Sequence, residues 1–476
     1  MARSEPAIRH ALVALGYLAK TEPGNLKHAH ARLTHQDNIF NMYYGKAVGA
    51  LIESMEDKSC PIEVGLAACL LFVCIEFMRG NFIVAFTHLQ SGLKIISELP
   101  YRLSSGLLPR SMRILPKSPR SPTAKQIKFA GSSGLLDDTL IPMFMRNITP
   151  AMLFGTRVEE IFEIPIPDPQ SYDFPFSTFY ELQRASFQLR NASALFARTM
   201  ATKIFIKVPL RPEDFQARSQ LLDAHQSWLK ALERLEQAKC LSGEEIVMAA
   251  SLKLGYYSTY ILIHCAMDLR QCNFDAHLDY FKAINHNARI VLESMDLPIV
   301  LPPASGGRQS SSKRLSGTLS RSSTSTRTRP PGRVSLSTMR SIHAKISGAH
   351  FTFEISVIPP LHFVATRCRC PTTRREAVAL LETNPPREGL WDVETHIAVA
   401  KRVIEIEETT LDPETGWPTE ASRLWCSVHD GKGYSDGKIL VTFAFAQWAQ
   451  ERSPRPDDLR PVNGADRSDA QWQELM

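Results

Sequence analysis

Cysteine is scarce in this sequence and does not occur in spaced sets. Nine cysteines are scattered through apolar segments of the 476-residue chain, and their number is odd. This distribution argues against a disulfide framework and indicates reduced, buried thiols, as in the cytosol or the nucleus. Cys368 and Cys370 are the one close pair, and a tetrahedral zinc site would need a second pair. We therefore predict a helix end with one buried thiol at this place.

Sequence motifs of common enzymes are missing as well. The chain has no Gly-x-Gly-x-x-Gly segment, no Walker-type Gly-Lys-Ser/Thr and no Gly-x-Ser-x-Gly, so nucleotide binding and serine hydrolysis have no support. Three neighbouring histidines could form a metal site in a loop, but no carboxylate or cysteine cluster accompanies them. A solvated loop is the simpler interpretation for His28, His30 and His35.

Two groups of acidic residues remain as candidates. Asp137 and Asp138 resemble the acid pair of metal-dependent helical cyclases, but no third acid completes that set. Glu405, Glu407 and Glu408 lie near a predicted helix end, where a solvated face is the expected structure. Without a convergent acid–base set, the sequence predicts no enzyme and no catalytic, cofactor-binding or metal-binding residue.

A membrane segment and a signal peptide are not expected. The amino terminus has no apolar core of the signal-peptide type and contains an acid early on. Of two apolar stretches, 64–78 is short and carries Glu76, while 247–266 contains Lys253 and His264 among its polar residues. A lipid-facing helix rarely holds such residues, so both stretches are predicted to be core helices of a soluble bundle.

Acidic residues are missing from two long basic stretches. Between Glu98 and Asp137, and between Asp296 and Glu354, the chain has 16 of its 55 Lys and Arg residues and none of its 49 acids. The remainder therefore has 39 basic and 49 acidic residues, which weighs against a basic DNA-binding face on the folded body. Both stretches are rich in Ser and Pro and lack periodicity, which predicts disorder.

Several functions remain open for these basic stretches. They can neutralise phosphates, act as nuclear import signals, or carry phosphorylation sites such as Ser118, Ser121 and Ser316. They can also be solubilising linkers. The second stretch, which interrupts helical patterning abruptly, can even be sequence that is not part of the native coding region.

Apolar periodicity predicts helices along the rest of the chain. Pro6 suits the first turn of a helix with Ile8 on its buried face, and a second helix carries Ile39 and Met42 on its apolar face. A third, 62–79, is apolar almost all round and so is central, and it should form an antiparallel hairpin with a fourth, which Asn81 caps. Later helices are expected at 177–204, 211–238, 243–272, 275–296, 355–368, 374–382 and 393–408.

These elements add up to an all-α fold, an irregular array of packed helices with two disordered insertions. A strand at 438–445 and a partner at 425–429 form a small β-hairpin near the carboxyl terminus. The predicted regions are a first helical region 1–100, a basic linker 101–136, a helical core 137–300, a disordered insertion 301–350, carboxyl-terminal helices and the hairpin 351–446, and a polar tail 447–476.

A family resemblance rests on several of these helices. Residues 5–16 (EPAIRHALVALG), 66–81 (LAACLLFVCIEFMRGN) and 85–95 (AFTHLQSGLKI) resemble the regulatory domain of fungal zinc-cluster transcription factors. Shorter similar segments follow in order at 164–167, 357–365, 387–392 and 402–408. The resemblance implies transcription regulation, a location in the nucleus with the cytoplasm as the alternative, and protein partners or self-association.

One departure from the family affects DNA binding. Members carry a six-cysteine motif upstream of this domain, which holds two zinc ions and places a helix in the DNA major groove. The first cysteine here is Cys60, within the helical region, so no residue inherits a zinc-binding or base-contacting role. We therefore expect this chain to lack direct sequence-specific DNA binding, and we expect zinc only in the absent cluster. Either the gene model is truncated, or the protein has no DNA-binding domain of its own. The alternative function is a helical interaction adaptor without a transcriptional role.

Overall fold

A computed structural model describes residues 2–21, 38–56, 60–99, 135–153, 155–161, 163–295, 297, 351–352, 355–429, 439–445 and 472–475. This part of the chain folds into twelve α-helices and two small sheets, which confirms the all-α prediction. The helices are α1 (Pro6–Thr21), α2 (Asn38–Glu56), α3 (Ile62–Met78), α4 (Phe82–Ser97), α5 (Ile141–Leu153), α6 (Phe179–Phe205), α7 (Pro212–Gln237), α8 (Gly243–Cys265), α9 (Leu278–Ser294), α10 (Ile358–Arg367), α11 (Pro371–Leu381) and α12 (Val393–Glu407). The predicted insertion 301–350, and the predicted linker 101–136 except its last two residues, lie outside the described residues.

Helix α3 is the central element of the amino-terminal half. Twelve of its 17 residues are buried, because α1 and α2 pack on one side and α4 and α5 on the other. Gly80 follows it with φ 69°, a left-handed conformation that glycine adopts without strain. The three-residue connection turns the chain back, so α3 and α4 form the predicted antiparallel hairpin. Asn81 precedes α4, but its side chain makes no capping hydrogen bond, contrary to our expectation.

The buried face of α2 differs from the predicted one. Ile39 and Met42 are exposed and Phe40 is buried against α1 and α3 in their place, whereas Ala47 is buried as its helical spacing predicts. Contacts with α3 and the residue that follows it explain this orientation, because the Phe72 ring meets the Tyr44 ring edge-on at a centroid distance of 5.4 Å and Arg79 lies over the Phe40 ring. A periodic set of apolar residues on a short helix allows two neighbouring faces, and the partner helices decide between them.

Helices α6 to α8 form a second hydrophobic core, after the one around α3. Helix α8 also contributes to a third. Their starts follow local rules: Asp214 accepts from the backbone N–H of Arg211 at α7, and Ser242 and Glu245 form a capping box at α8. Among the described helices, α8 is the one long and apolar enough to span a membrane by length and composition alone. It contacts α6, α7 and α9, and its Lys253 pairs with Glu236 of α7 at 2.8 Å.

The third core joins α8 and α9 to the carboxyl-terminal helices α10 to α12. Prolines occupy the first turns of α10 and α11, where no backbone N–H is needed. Strands β3 (Leu424–His429) and β4 (Ile439–Phe445) pair antiparallel, which confirms the predicted hairpin. A further strand, β5 (Trp472–Leu475), pairs with β4 within the region predicted as a polar tail.

A short parallel pair of strands lies where the amino-terminal helices meet the carboxyl-terminal ones. Strand β1 (Phe351–Thr352) pairs with β2 (Arg387–Glu388), and neither strand was predicted. Arg387 is buried, and its guanidinium donates to the Phe77 carbonyl in the last turn of α3. Glu388 is buried beside it and accepts the backbone N–H groups of Ser356, Val357 and Ile358 at the start of α10. These two residues therefore connect the amino-terminal helices to the carboxyl-terminal ones.

Candidate functional site

A cluster of polar side chains, several of them buried, lies where α8, α10 and α12 end. We call it the polar junction and define it by seven side chains: His264, Cys265, His277, Arg367, Glu407, Glu420 and Arg423. It begins at the end of α8, because this helix ends at Cys265 instead of continuing to residue 272 as the sequence predicts. The next turn, Gln271–His277, is a 3-10 helix.

Glu420 is the residue that stabilises this helix end and the turn that follows it. Its carboxylate accepts the backbone N–H of Gln271 at 2.6 Å and that of Cys272 at 2.7 Å. These donors begin the 3-10 turn and have no partner within it, so a distant acid stabilises the new start. The chain folds back through this turn, and His277 lies beside the end of α8.

Two histidines and a cysteine meet at this point. His277 Nε2 lies 3.1 Å from His264 Nδ1, and these nitrogens and the Cys265 sulfur all lie within 4.8 Å of one another. Cys265 and His277 are 5% and 7% exposed, whereas His264 opens to solvent. The Tyr260 ring stacks on His264 and the Tyr280 ring on His277, so aromatic side chains hold both imidazoles in place.

Burial sets the protonation of the three groups. It lowers the pKa of His277 to about 4, with smaller effects from His264 and Arg218. Burial and Arg218 also lower the pKa of His264. Burial raises the pKa of the Cys265 thiol to about 12. At neutral pH the cluster therefore contains neutral imidazoles and a protonated thiol.

Two arginines tie the 3-10 turn to the first residues of β3. Arg367, at the end of α10, donates to the Gln271 side-chain oxygen at 2.6 Å and to the carbonyls of Leu424 and Trp425. Arg423 forms an ion pair with Asp275, with a nitrogen–oxygen distance of 2.8 Å. The cluster thus belongs to a network that also positions the small sheet.

Glu407 lies at the buried end of the junction. It accepts from Arg369 at 2.7 Å and from Arg374 at 2.8 Å, and all three side chains are 0% exposed. It also accepts the backbone N–H of Leu424 at 2.9 Å. The expectation of a solvated face at this residue was wrong, because α11 and β3 cover this side of α12. Glu405, two residues before it, is solvated as expected, with 63% of its side chain exposed.

The other candidates from the sequence do not meet in one place. Cys368 is buried at the end of α10, and burial raises the pKa of its thiol to about 12, as a structural thiol requires. Asp138 pairs with Arg184 at 3.2 Å, and burial and Asp138 raise the pKa of the neighbouring Asp137. The three histidines at 28, 30 and 35 lie outside the described residues.

Sequence reasoning missed the His264–Cys265–His277 cluster. An adjacent His-Cys pair at the end of an apolar helix, with a further His twelve residues later, matches none of the usual spacings of a metal site. The end of α8 at Cys265 decides the geometry of the cluster. The sequence of 265–277 by itself does not indicate that Glu420 is the partner of this segment.

A buried serine–histidine pair in the second core has a structural role. Ser193 Oγ lies 2.9 Å from His225 Nε2, a distance suited to a nucleophile and its base. Both side chains are buried, and Trp228 and Tyr256 enclose the histidine region. Since substrate could not reach either group in this conformation, the hydrogen bond serves to connect α6 with α7.

The chain that forms this fold is similar in sequence to a fungal regulator. The Aspercryptin biosynthesis cluster-specific transcription regulator atnN of Emericella nidulans is 22% identical to the chain over 459 residues, covering 87% of this chain and 70% of that protein. No protein-family model matches the chain, and no solved structure matches it. The similarity supports a place among fungal transcription regulators.

Proposed function

We propose that the chain is the regulatory domain of a fungal transcription regulator of the zinc-cluster type and that it acts in the nucleus. The observation that carries this proposal is the similarity to a fungal transcription regulator along 87% of the chain. The family-like segments support it, because 66–81 and 85–95 form the α3–α4 hairpin and 387–392 contains the residues that close the array on α3. A regulatory role fits this arrangement, since it joins distant segments into one array.

DNA reading is assigned in this proposal to another part of the protein or to a partner. A two-zinc cluster needs six cysteines that converge. Within the described residues, the cysteines are spread from Cys60, just before α3, to Cys426 in β3. The side chains that could share an ion there are those of His264, Cys265 and His277, and the group contains a single thiol. In this proposal the chain acts through protein partners or self-association.

The proposal is tested by tethering. The full chain is fused to an unrelated DNA-binding domain in a filamentous fungus, and transcription of a reporter with the matching operator is measured. We expect activation or repression of the reporter, and nuclear accumulation of the untethered chain. A matched fusion that carries Glu407→Ala, which breaks a buried ion cluster, should lose the effect. A reporter unchanged by the tethered chain, together with exclusion of the chain from nuclei, would contradict the proposal.

Gene expression separates the regulator from the adaptor. Deletion of the gene is expected to change the transcript levels of a small set of genes, and restoring the chain should reverse the change. A normal transcript profile, combined with stable capture of a cytoplasmic partner by the full chain, would instead favour an interaction adaptor.

A further inference from the structure

We propose that His264, Cys265 and His277 form a zinc-binding site, with a water molecule as the fourth ligand on the solvent side. Imidazole nitrogen and thiolate sulfur are the donors that Zn²⁺ takes most often in proteins. No residue of the zinc-cluster motif takes part, so this site is separate from any DNA-binding zinc. The inference does not depend on the proposed transcriptional role.

The spacing of the two nitrogens suits a tetrahedral ion. With zinc–nitrogen bonds of about 2.05 Å, two ligand nitrogens lie about 3.3 Å apart. His264 Nδ1 and His277 Nε2 are already 3.1 Å apart. The sulfur lies within 4.8 Å of these nitrogens and needs about 3.6 Å, a change that a small rotation of the Cys265 side chain supplies.

The surroundings of the cluster favour a fixed geometry. The rings of Tyr260 and Tyr280 stack on the two imidazoles, so little side-chain freedom is lost on binding. Arg218 donates to the backbone carbonyl of His264 at 2.8 Å and so fixes the end of α8. Because His264 is exposed while Cys265 and His277 are buried, an ion has a path to the donors and leaves water on one side.

The charges around the site are balanced. Arg218 and Arg367 are close enough to Cys265 to act on its thiol electrostatically, and so are Asp268 and Asp275. The arginines oppose an incoming cation but stabilise a thiolate, and the two aspartates offset their charge. On binding, the Cys265 thiol releases its proton to solvent. The proton between the two imidazoles moves to the far nitrogen of its ring, and the ion takes its place.

An ion at this place would replace the hydrogen bond between His264 and His277 with a stronger link between the two elements that carry them. The cluster links the last turn of α8 to the residue just before α9, within the turn that Glu420 caps. Zinc would therefore strengthen the polar junction and the attachment of β3 to it. The occupancy of the site would then depend on the supply of zinc and on the reduced state of one thiol.

Cobalt and zinc titrations of the full-length chain test the site. The protein is purified under reducing conditions, freed of metal with a chelator and titrated with Co²⁺. We expect a thiolate-to-cobalt charge-transfer band and tetrahedral d–d bands that saturate at one ion per chain, and Zn²⁺ should abolish both. Zinc should also raise the melting temperature of the metal-free protein.

Single variants assign the ligands. Cys265→Ser should lose the charge-transfer band, and His264→Gln, at an exposed position, should lose tight binding while the chain stays folded. Cys272→Ser is the matched control, because this exposed cysteine lies seven residues away and should leave the titration unchanged. If Cys265→Ser does not fold, His264→Gln still decides. The same band in Cys265→Ser, unaltered binding in His264→Gln, or saturable binding of Cu⁺ without Zn²⁺ would refute the zinc site.

Discussion

Glu407 is the carboxylate on which three separate segments converge. It accepts from Arg369, Arg374 and the Leu424 backbone N–H, and no part of its side chain reaches solvent. Removing one partner of a buried ion pair leaves the other charges without compensation, which costs about 3–5 kcal/mol. Glu407→Ala should therefore lower the free energy of unfolding in urea by that amount.

The same helix offers a matched control for this prediction. Glu405 is mostly exposed and pairs with Arg402 across one turn of α12. Exposed pairs of this kind contribute about 0–1 kcal/mol, so Glu405→Ala should change stability little. Equal effects of the two substitutions would show that Glu407 is not the centre of a buried cluster.

His225 makes stability depend on pH. Burial, with a smaller effect of Arg190, lowers its pKa to about 3 in the folded chain, whereas an unfolded histidine has a pKa of about 6.5. The unfolded state therefore binds the extra proton between these values. The stabilisation is fully present above about pH 6.5 and is lost as the pH falls towards the folded pKa, by up to about 1.4 kcal/mol per pH unit.

Urea unfolding at several pH values between 7.5 and 5 measures this slope. His225→Gln should reduce the slope relative to the parent chain. His286→Gln, at an exposed position on α9, serves as the control and should leave the slope unchanged. If the slope is the same in His225→Gln, then His225 is not the source of the pH dependence.

At the scale of helices, the closest packing is between α4 and α5. Gly92 of α4 faces the ring of Phe144, and a Cβ added at Gly92 would overlap that ring. Phe144 is fully buried and has no room to move. Gly92→Ala should therefore destabilise the fold by about 1–3 kcal/mol, the usual cost of overpacking.

Gly45 in the exposed part of α2 gives the opposite expectation. Nothing lies within 4 Å of a Cβ added there, so Gly45→Ala should add up to about 1 kcal/mol through helix propensity. Thermal unfolding of the two variants compares them directly. A melting temperature for Gly92→Ala at or above that of the parent would contradict the close contact between α4 and α5.

Helix ends show where local rules stop being sufficient. Capping residues and first-turn prolines locate the starts of α7, α8, α10 and α11 within a few residues. The end of α8 could not be located in this way, because Glu420, some 150 residues away, stabilises the break. A helix ends where its backbone groups find better partners, and here those partners come from a distant segment.

At the scale of the molecule, Arg387 connects the amino-terminal helices to the carboxyl-terminal ones. Its guanidinium donates to the Phe77 carbonyl of α3 and to the Gly389 carbonyl, in a buried place. Arg387→Met keeps much of the volume but removes the guanidinium from both carbonyls. The Phe77 carbonyl keeps the Gly80 backbone N–H at 3.0 Å, whereas an unsatisfied Gly389 carbonyl costs about 1–3 kcal/mol. We expect faster hydrogen exchange at the end of α3 and around β2, with α6 and α7 unaffected.

The control for this variant is Arg375→Met. Arg375 pairs with Glu408 at the surface, with about half of its side chain exposed. Its loss should change hydrogen exchange only near α11. Unchanged exchange at α3 in Arg387→Met would mean that the contact does not connect the two halves.

The sequence by itself determined the class of fold and most of the helices. An apolar character on almost all sides placed α3 at the centre of its half, and an apolar run after a turn located the second strand of the β3–β4 hairpin. The prediction of buried thiols holds for Cys69, Cys265 and Cys368, whereas Cys240 and Cys272 are exposed. These properties depend on residues that are close in the chain.

Only the tertiary structure decided which polar residues are buried together. Glu407 resembles any solvated acid until α11 and β3 cover it, and His277 resembles a surface histidine until the break after Cys265 turns it towards His264. Charge pairing and ligand geometry depend on distances of a few ångströms between segments far apart in sequence. A local pattern contains no such distance, so the polar junction and the contact of Arg387 with α3 became visible only in the fold.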